Sequence, residues 1–154
     1  TMNRVLVAVD GTKGSWACIT ACGRLFAGRA PPAVILLHVM QYGGPTAVDG
    51  LSSDAELDEL RQALEGTPQL EALEAKAEAA FAAPREFLAE RGFRDVRTVV
   101  KSGRPAQEIL NGAAECGAEL IVVGNTRSLI AKLMLGDVAQ QVAKGAAVPV
   151  LLAR

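Results

Sequence analysis

The chain has 154 residues, half of them apolar and 4% aromatic, with a formal net charge of −1. That length suits one domain over residues 1–154 with an aliphatic core, and the near-neutral charge argues against a general binder of nucleic acid or anionic membrane. No apolar run reaches the roughly 20 residues that cross a bilayer, and residues 1–15 lack the charged start and long apolar core of a signal peptide, so a cytoplasmic location is expected.

Thr1 ahead of Met2 reads as an addition to the natural start. Residues 4–9 (Arg-Val-Leu-Val-Ala-Val) form the first predicted strand, ending at Asp10-Gly11. A helix is predicted over 15–27, with Thr12 or Ser15 as its cap and Trp16, Ile19, Thr20, Gly23, Phe26 and Ala27 on its inner face. Gly28 and Pro31-Pro32 end it. Residues 33–40, a near-continuous apolar run, are the second strand. The stretch 41–66 reads as an irregular insertion, a Gly/Ser/Thr-rich loop to residue 53 and then a weak helix over 54–64. Thr67 caps a new helix with Pro68 at its first position. Pro84 falls inside that helix and predicts a kink or break near Ala83, with the helix resuming to Arg91 and stopping at Gly92. Residues 96–100 are the third strand. Pro105 opens a helix to Cys116, closed by Gly117. Residues 120–123 are the fourth strand, turned off by Gly124. A short helical piece over 129–135 follows. Asp137 then caps a helix from Val138 to Lys144. The last strand is 148–152, placed at a sheet edge because Pro149 has no N–H to donate.

Five strands alternating with helices give an α/β fold, an open, parallel, doubly wound sheet with helices on both faces. In such sheets ligands lie outside the carboxyl ends of strands where the winding direction reverses. The strand tips here carry Asp10-Gly11, Val39 and Gly124. A glycine at a strand tip facing a helix start is a setting for an anion held on backbone N–H groups. Asp10 reads either as a ligand contact or as a turn residue at a strand end. Gly124 and Gly136 are needed as turns whether or not a ligand binds, and Asp137 is first a helix cap. His38, within an apolar strand, reads as a satisfied core residue, and Trp16 as core rather than a stacking platform. Cys18 and Cys22 read as small apolar fillers: a zinc site needs about four ligands, and the single histidine is far away in sequence.

Six segments in order resemble the universal stress protein family over nearly the whole chain. They are Val7-Ala8-Val9-Asp10-Gly11-Thr12 with Ser15; Leu36-Leu37-His38-Val39; residues 102–110 from Ser102-Gly103-Arg104-Pro105; 118–124; Leu135-Gly136-Asp137-Val138-Ala139; and 148–152. The resemblance implies strand order 3-2-1-4-5 and a homodimer through the last strand, Val148 to Leu152. It implies that some members bind ATP. The residues matching Ala8, Asp10 and Val39 would then hold adenine and ribose, and Val9 and Gly103 would stand beside them. Phosphates would lie along a loop of Gly, two residues, Gly, nine residues, then Gly-Ser or Gly-Thr. That loop maps onto Gly124, Asn125, Arg127, Ser128, Gly136, Asp137 and Val138.

The chain departs from that loop in three ways. Arg127 stands at the second glycine, eleven residues rather than twelve separate Gly124 from Gly136, and Asp137 replaces the closing Ser/Thr. A side chain at Arg127 impedes close backbone approach, and the missing residue removes up to about 3.5 Å of reach. A carboxylate about 4 Å from a phosphate charge costs about 4 kcal/mol at an effective dielectric near 20. The helix N-terminus returns only about 0.3–1 kcal/mol. Repulsion wins unless Mg²⁺, expected only alongside nucleotide, bridges the two, or Arg127 and Lys132 swing in. Phosphate binding is therefore weakened rather than abolished. The favoured expectation is a dimeric stress-response interaction module with a weakened or lost cleft and protein partners that the sequence does not name. The alternative is an ATP- or AMP-binding member. An enzyme is disfavoured: no nucleophile–base pair is visible, and Asp10 to Ser15 does not form the Ser-Gly-Gly-x-Asp-Ser loop of a PP-loop ATP pyrophosphatase.

Overall fold

The computed structural model describes residues 3–11, 13–40, 54–124 and 138–154. In chain order the elements are β1 (Arg4–Ala8), α1 (Lys13–Leu25), β2 (Ala33–Met40), α2 (Asp54–Leu64) and α3 (Pro68–Glu90). There follow β3 (Val96–Ser102), α4 (Pro105–Cys116), β4 (Leu120–Gly124), α5 (Val138–Gly145) and β5 (Val150–Ala153). The strands form one five-stranded sheet in the order β3-β2-β1-β4-β5. All pairings are parallel, as the apolar runs and intervening helices require. The winding reverses at β1, which lies between β2 and β4.

Successive strand residues point to opposite faces, and the two faces carry separate cores. On one, Val5, Val7, Val34, Leu36 and Val122 meet Cys18, Ile19 and Cys22 of α1 and Phe81 and Leu88 of α3. On the other, Leu6, Leu37, Ile121 and Val123 meet Ala106, Ile109 and Ala113 of α4 and Ala139 and Val142 of α5. Helix α4 sits close to the sheet because Gly112 has no side chain; a Cβ there would stand 2.3 Å from Leu37 Cδ1. A small third cluster joins Met40 at the tip of β2 to Leu60 and Leu64 of α2 and Leu70 and Leu73 of α3. Among the described residues no helix is long and apolar enough to cross a membrane.

The structure corrects several expectations. Helix α1 starts at Lys13 rather than Ser15. Its buried stripe runs through Ser15, Cys18, Ile19 and Cys22, so Trp16 falls on the flank and is 41% exposed. Trp16 is not a core residue; it rests edge-on against Phe87, ring centroids 5.2 Å apart. Helix α3 runs unbroken through Pro84. Losing one helical hydrogen bond costs about 3 kcal/mol, and burial of Ala77, Ala80, Phe81, Pro84 and Leu88 on the sheet outweighs it. Strand β3 continues to Ser102, and β5 is Val150–Ala153 rather than 148–152. Pro149 still joins the ladder through its carbonyl, which accepts Ile121 N–H at 3.0 Å. The Thr67 cap stands as expected, its hydroxyl accepting Leu70 N–H at 3.4 Å. The predicted loop over 41–53 and the helical piece over 129–135 lie outside the described residues.

Candidate functional site

The carboxyl ends of β1, β2 and β4 bring Ala8, Val9, Asp10, Val39, Met40 and Gly124 to one crest of the sheet, where the winding reverses. Gly103, at the end of β3, joins them: its N–H donates to the Met40 carbonyl at 3.1 Å. Its φ of 135° is open to glycine and strained for other residues.

On the α4/α5 face of the crest the floor is apolar. Ala8, Val39 and Val138 are half-buried against the cluster that contains Ala106, Val123 and Ala139. Small aliphatic side chains that are only half covered offer a flat surface to a planar group. Three residues from separate stretches of sequence thus pack against one cluster. Asn125, Arg127, Ser128, Gly136 and Asp137 lie outside the described residues. Gly124, which leads into them, is half-buried and pairs with Ala153 of β5.

Asp10 stands exposed at the tip of β1, ahead of Gly11 at φ 84°. Its N–H donates to Ser15 Oγ at 3.0 Å. Ser15 is 7% exposed, so a buried hydroxyl from the first turn of α1 ties the loop back to the helix. Asp10 also acts on Cys18 beneath it. Burial pushes the Cys18 thiol up to about 12, and the Asp10 carboxylate adds to the rise. Burial alone does the same for Cys22. Both therefore stay protonated near neutral pH, buried among the aliphatic residues of the α1/α3 face.

The backbone of the crest can be read by alternation, since neighbouring residues in a strand direct their N–H and C=O to opposite sides. The Leu37 carbonyl faces β1, accepting Val9 N–H at 2.9 Å, and the Met40 carbonyl faces β3. Val39 therefore presents its N–H and C=O toward β1. Were the ladder to continue, Val39 N–H would donate to the Val9 carbonyl. That carbonyl is instead 2.8 Å from His38 Nδ1. Among the described residues, Val9 N–H to Leu37 is the last backbone bond from β1 to β2. Val39 thus offers one donor and one acceptor to the crevice, above an apolar floor and beside a carboxylate. A planar heterocycle with an acceptor and a donor on one edge fits that set, with a vicinal diol beside Asp10.

The sequence expectations named Ala8, Asp10 and Val39, which the structure places at the carboxyl ends of the neighbouring strands β1 and β2. They read His38 as satisfied core, which it is at 4% exposure with its ring edge-on to Phe81, but left its partner unnamed. They gave Val39 no mechanism. The signal available was a lone polar side chain one residue before a strand tip.

A family model described as the universal stress protein family matches residues 1–154. Universal stress protein YxiE of Bacillus subtilis is 34% identical over 159 residues, covering 99% of both chains. A crystal structure of a universal stress protein in complex with cAMP superposes with TM-score 0.64 at 21% identity, covering 99% of this chain and 97% of that one. A universal stress protein family protein from Arabidopsis thaliana with AMP bound gives 0.66 at 18%, covering 98% and 90%. The chain belongs to the universal stress protein family.

Proposed function

We propose that this member of the universal stress protein family is a homodimeric stress-response interaction module whose cleft receives an adenine nucleoside but grips phosphates weakly. The observation that carries the reading is the contrast between the two halves of the cleft. The nucleoside half has an apolar floor of Ala8, Val39 and Val138, the Val39 backbone pair and the Asp10 carboxylate. The phosphate half, by sequence, has Arg127 for glycine, a loop one residue short and Asp137 for Ser/Thr. Solved relatives of the same fold hold cAMP and AMP, each with a single phosphate. That supports a ligand of this size over a triphosphate.

Dimerisation rests on β5. It is a sheet edge on which Leu152 is 46% exposed and Val150 and Leu151 are half-buried. An apolar edge needs covering, and antiparallel pairing with a twofold mate covers it. Signalling then passes through protein partners rather than through catalysis. The histidine, buried and engaged with the Val9 carbonyl, is no general base for a ligand at the crest.

A second reading, tight ATP binding, is favoured by the completeness of the nucleoside half. Restoring the loop decides between them. A variant with one residue inserted after Arg127, together with Arg127→Gly and Asp137→Ser, is titrated with ATP and Mg²⁺ by calorimetry. The first reading expects about a hundredfold tighter ATP, from removal of a repulsion of a few kcal/mol. Unchanged affinity would sink it.

A further inference from the structure

We propose that His38 is the positioning residue that makes the base-reading edge of the cleft, by taking the Val9 carbonyl out of the β1–β2 ladder so that Val39 N–H stays available. The inference rests on the reading of the crest as a nucleoside site. It assigns to a buried side chain a task that packing alone would not require.

The Val9 N–H donates to Leu37, so its carbonyl faces β2 as well and would meet Val39 N–H in a regular parallel ladder. A buried carbonyl seeks a donor. His38 Nδ1, 2.8 Å away, supplies one. A carbonyl oxygen only accepts, so Nδ1 carries the hydrogen, and the neutral ring is the Nδ1–H tautomer. The ring is held for this contact at 4% exposure, edge-on to Phe81 with centroids 6.3 Å apart. Phe81 is itself fully buried in α3, so the bond is set by the helix that covers this face. Without the imidazole, the donor that a regular parallel ladder brings to the Val9 carbonyl is Val39 N–H. Pairing would advance by one step and close the edge that a base would use.

Three measurements test this on the full chain. First, long-range ¹⁵N–¹H correlation on the wild type should report the Nδ1–H tautomer of His38; a ring with no hydrogen on Nδ1 overturns the proposal. Second, Val39 amide hydrogen exchange should be fast in the wild type and slowed in His38→Leu, where the ladder advances. Equal exchange in the two overturns it. Third, adenosine is used as the probe because it does not engage the phosphate loop. His38→Leu should bind it about three- to tenfold more weakly, the scale of one net hydrogen bond. His38→Asn, whose side-chain amide places a donor near the Nδ1 position, should restore binding to within about twofold. Equal affinity in His38→Leu and the wild type overturns the positioning role. A wild type that binds no adenosine refutes the nucleoside reading instead, and the tautomer and exchange results still decide the role of His38 in ending the ladder.

Discussion

On the proposed reading, single residues at the crest divide between those that would meet a ligand and those that hold them in place. Asp10 is exposed and Val39 half-buried; beneath them Ser15 accepts Asp10 N–H and His38 holds the Val9 carbonyl. Ser15→Ala should loosen the β1–α1 loop, leaving Asp10 N–H without its hydroxyl partner. A loss of about 1 kcal/mol in denaturant unfolding is expected, with a raised B-factor at Gly11 in a crystal; an unchanged midpoint would contradict it. Cys18 and Cys22 lend stability of a particular sign. They ionise near 9.0 when exposed and near 12 when folded. The folded value is the higher one, so their contribution is complete below about pH 9 and fades toward pH 12, as the unfolded chain sheds protons that the fold retains. The stability gap between wild type and Cys18→Ala/Cys22→Ala should therefore narrow from about pH 8 to about pH 10.5. A constant gap would show that burial does not hold these thiols protonated. Trp16 is the residue that the sequence misplaced. Its size suggested core, but the angular position of a residue on α1 is set by the stripe Ser15, Cys18, Ile19 and Cys22, and two of those are weak hydrophobic signals.

Elements were easier to read than their ends. Strands appeared as apolar runs and helices as capped, periodic stretches, because burial on both faces of a parallel sheet leaves little room for polar residues. Thr67 with Pro68 and Gly117 marked helix ends that the structure keeps. Pro84 misled because its local cost was read without the tertiary packing that offsets it. Its place in α3 gives a test: Pro84→Ala should not unfold the helix and should raise the melting temperature, since the restored N–H can meet the Ala80 carbonyl. A fall by several degrees would mean that the ring's packing outweighs the bond. By contrast, Phe81→Ala removes the largest fully buried side chain of the described core, and with it the support of the His38 ring. A loss of about 3–5 kcal/mol is expected. At β5 the sequence located the edge but began it two residues early, since Pro149 joins the ladder only as an acceptor.

For the molecule as a whole, topology sets the crest where the winding reverses and puts β3 and β5 on the outside of the described sheet. Strand order was legible only through the resemblance; periodicity alone gives parallel strands without their sequence across the sheet. The floor of the site was half legible. Ala8, Asp10 and Val39 could be matched to a family pattern, but that the β1–β2 ladder stops short of Val39, with His38 on the Val9 carbonyl, needed coordinates. The β5 edge predicts assembly: wild type should run as a dimer in light scattering at micromolar concentration, and Leu152→Glu should shift it toward monomer, because a carboxylate on that strand opposes its twofold copy. A monomeric wild type would contradict the interface. If, as proposed, the cleft keeps its nucleoside half and has lost grip on phosphates, calorimetric titration of one preparation with AMP and with ATP, both in Mg²⁺, will separate the two halves. AMP should bind, and ATP should bind no tighter than AMP. ATP binding ten or more times tighter than AMP, a gain of about 1.4 kcal/mol or more from the added phosphates, would contradict it.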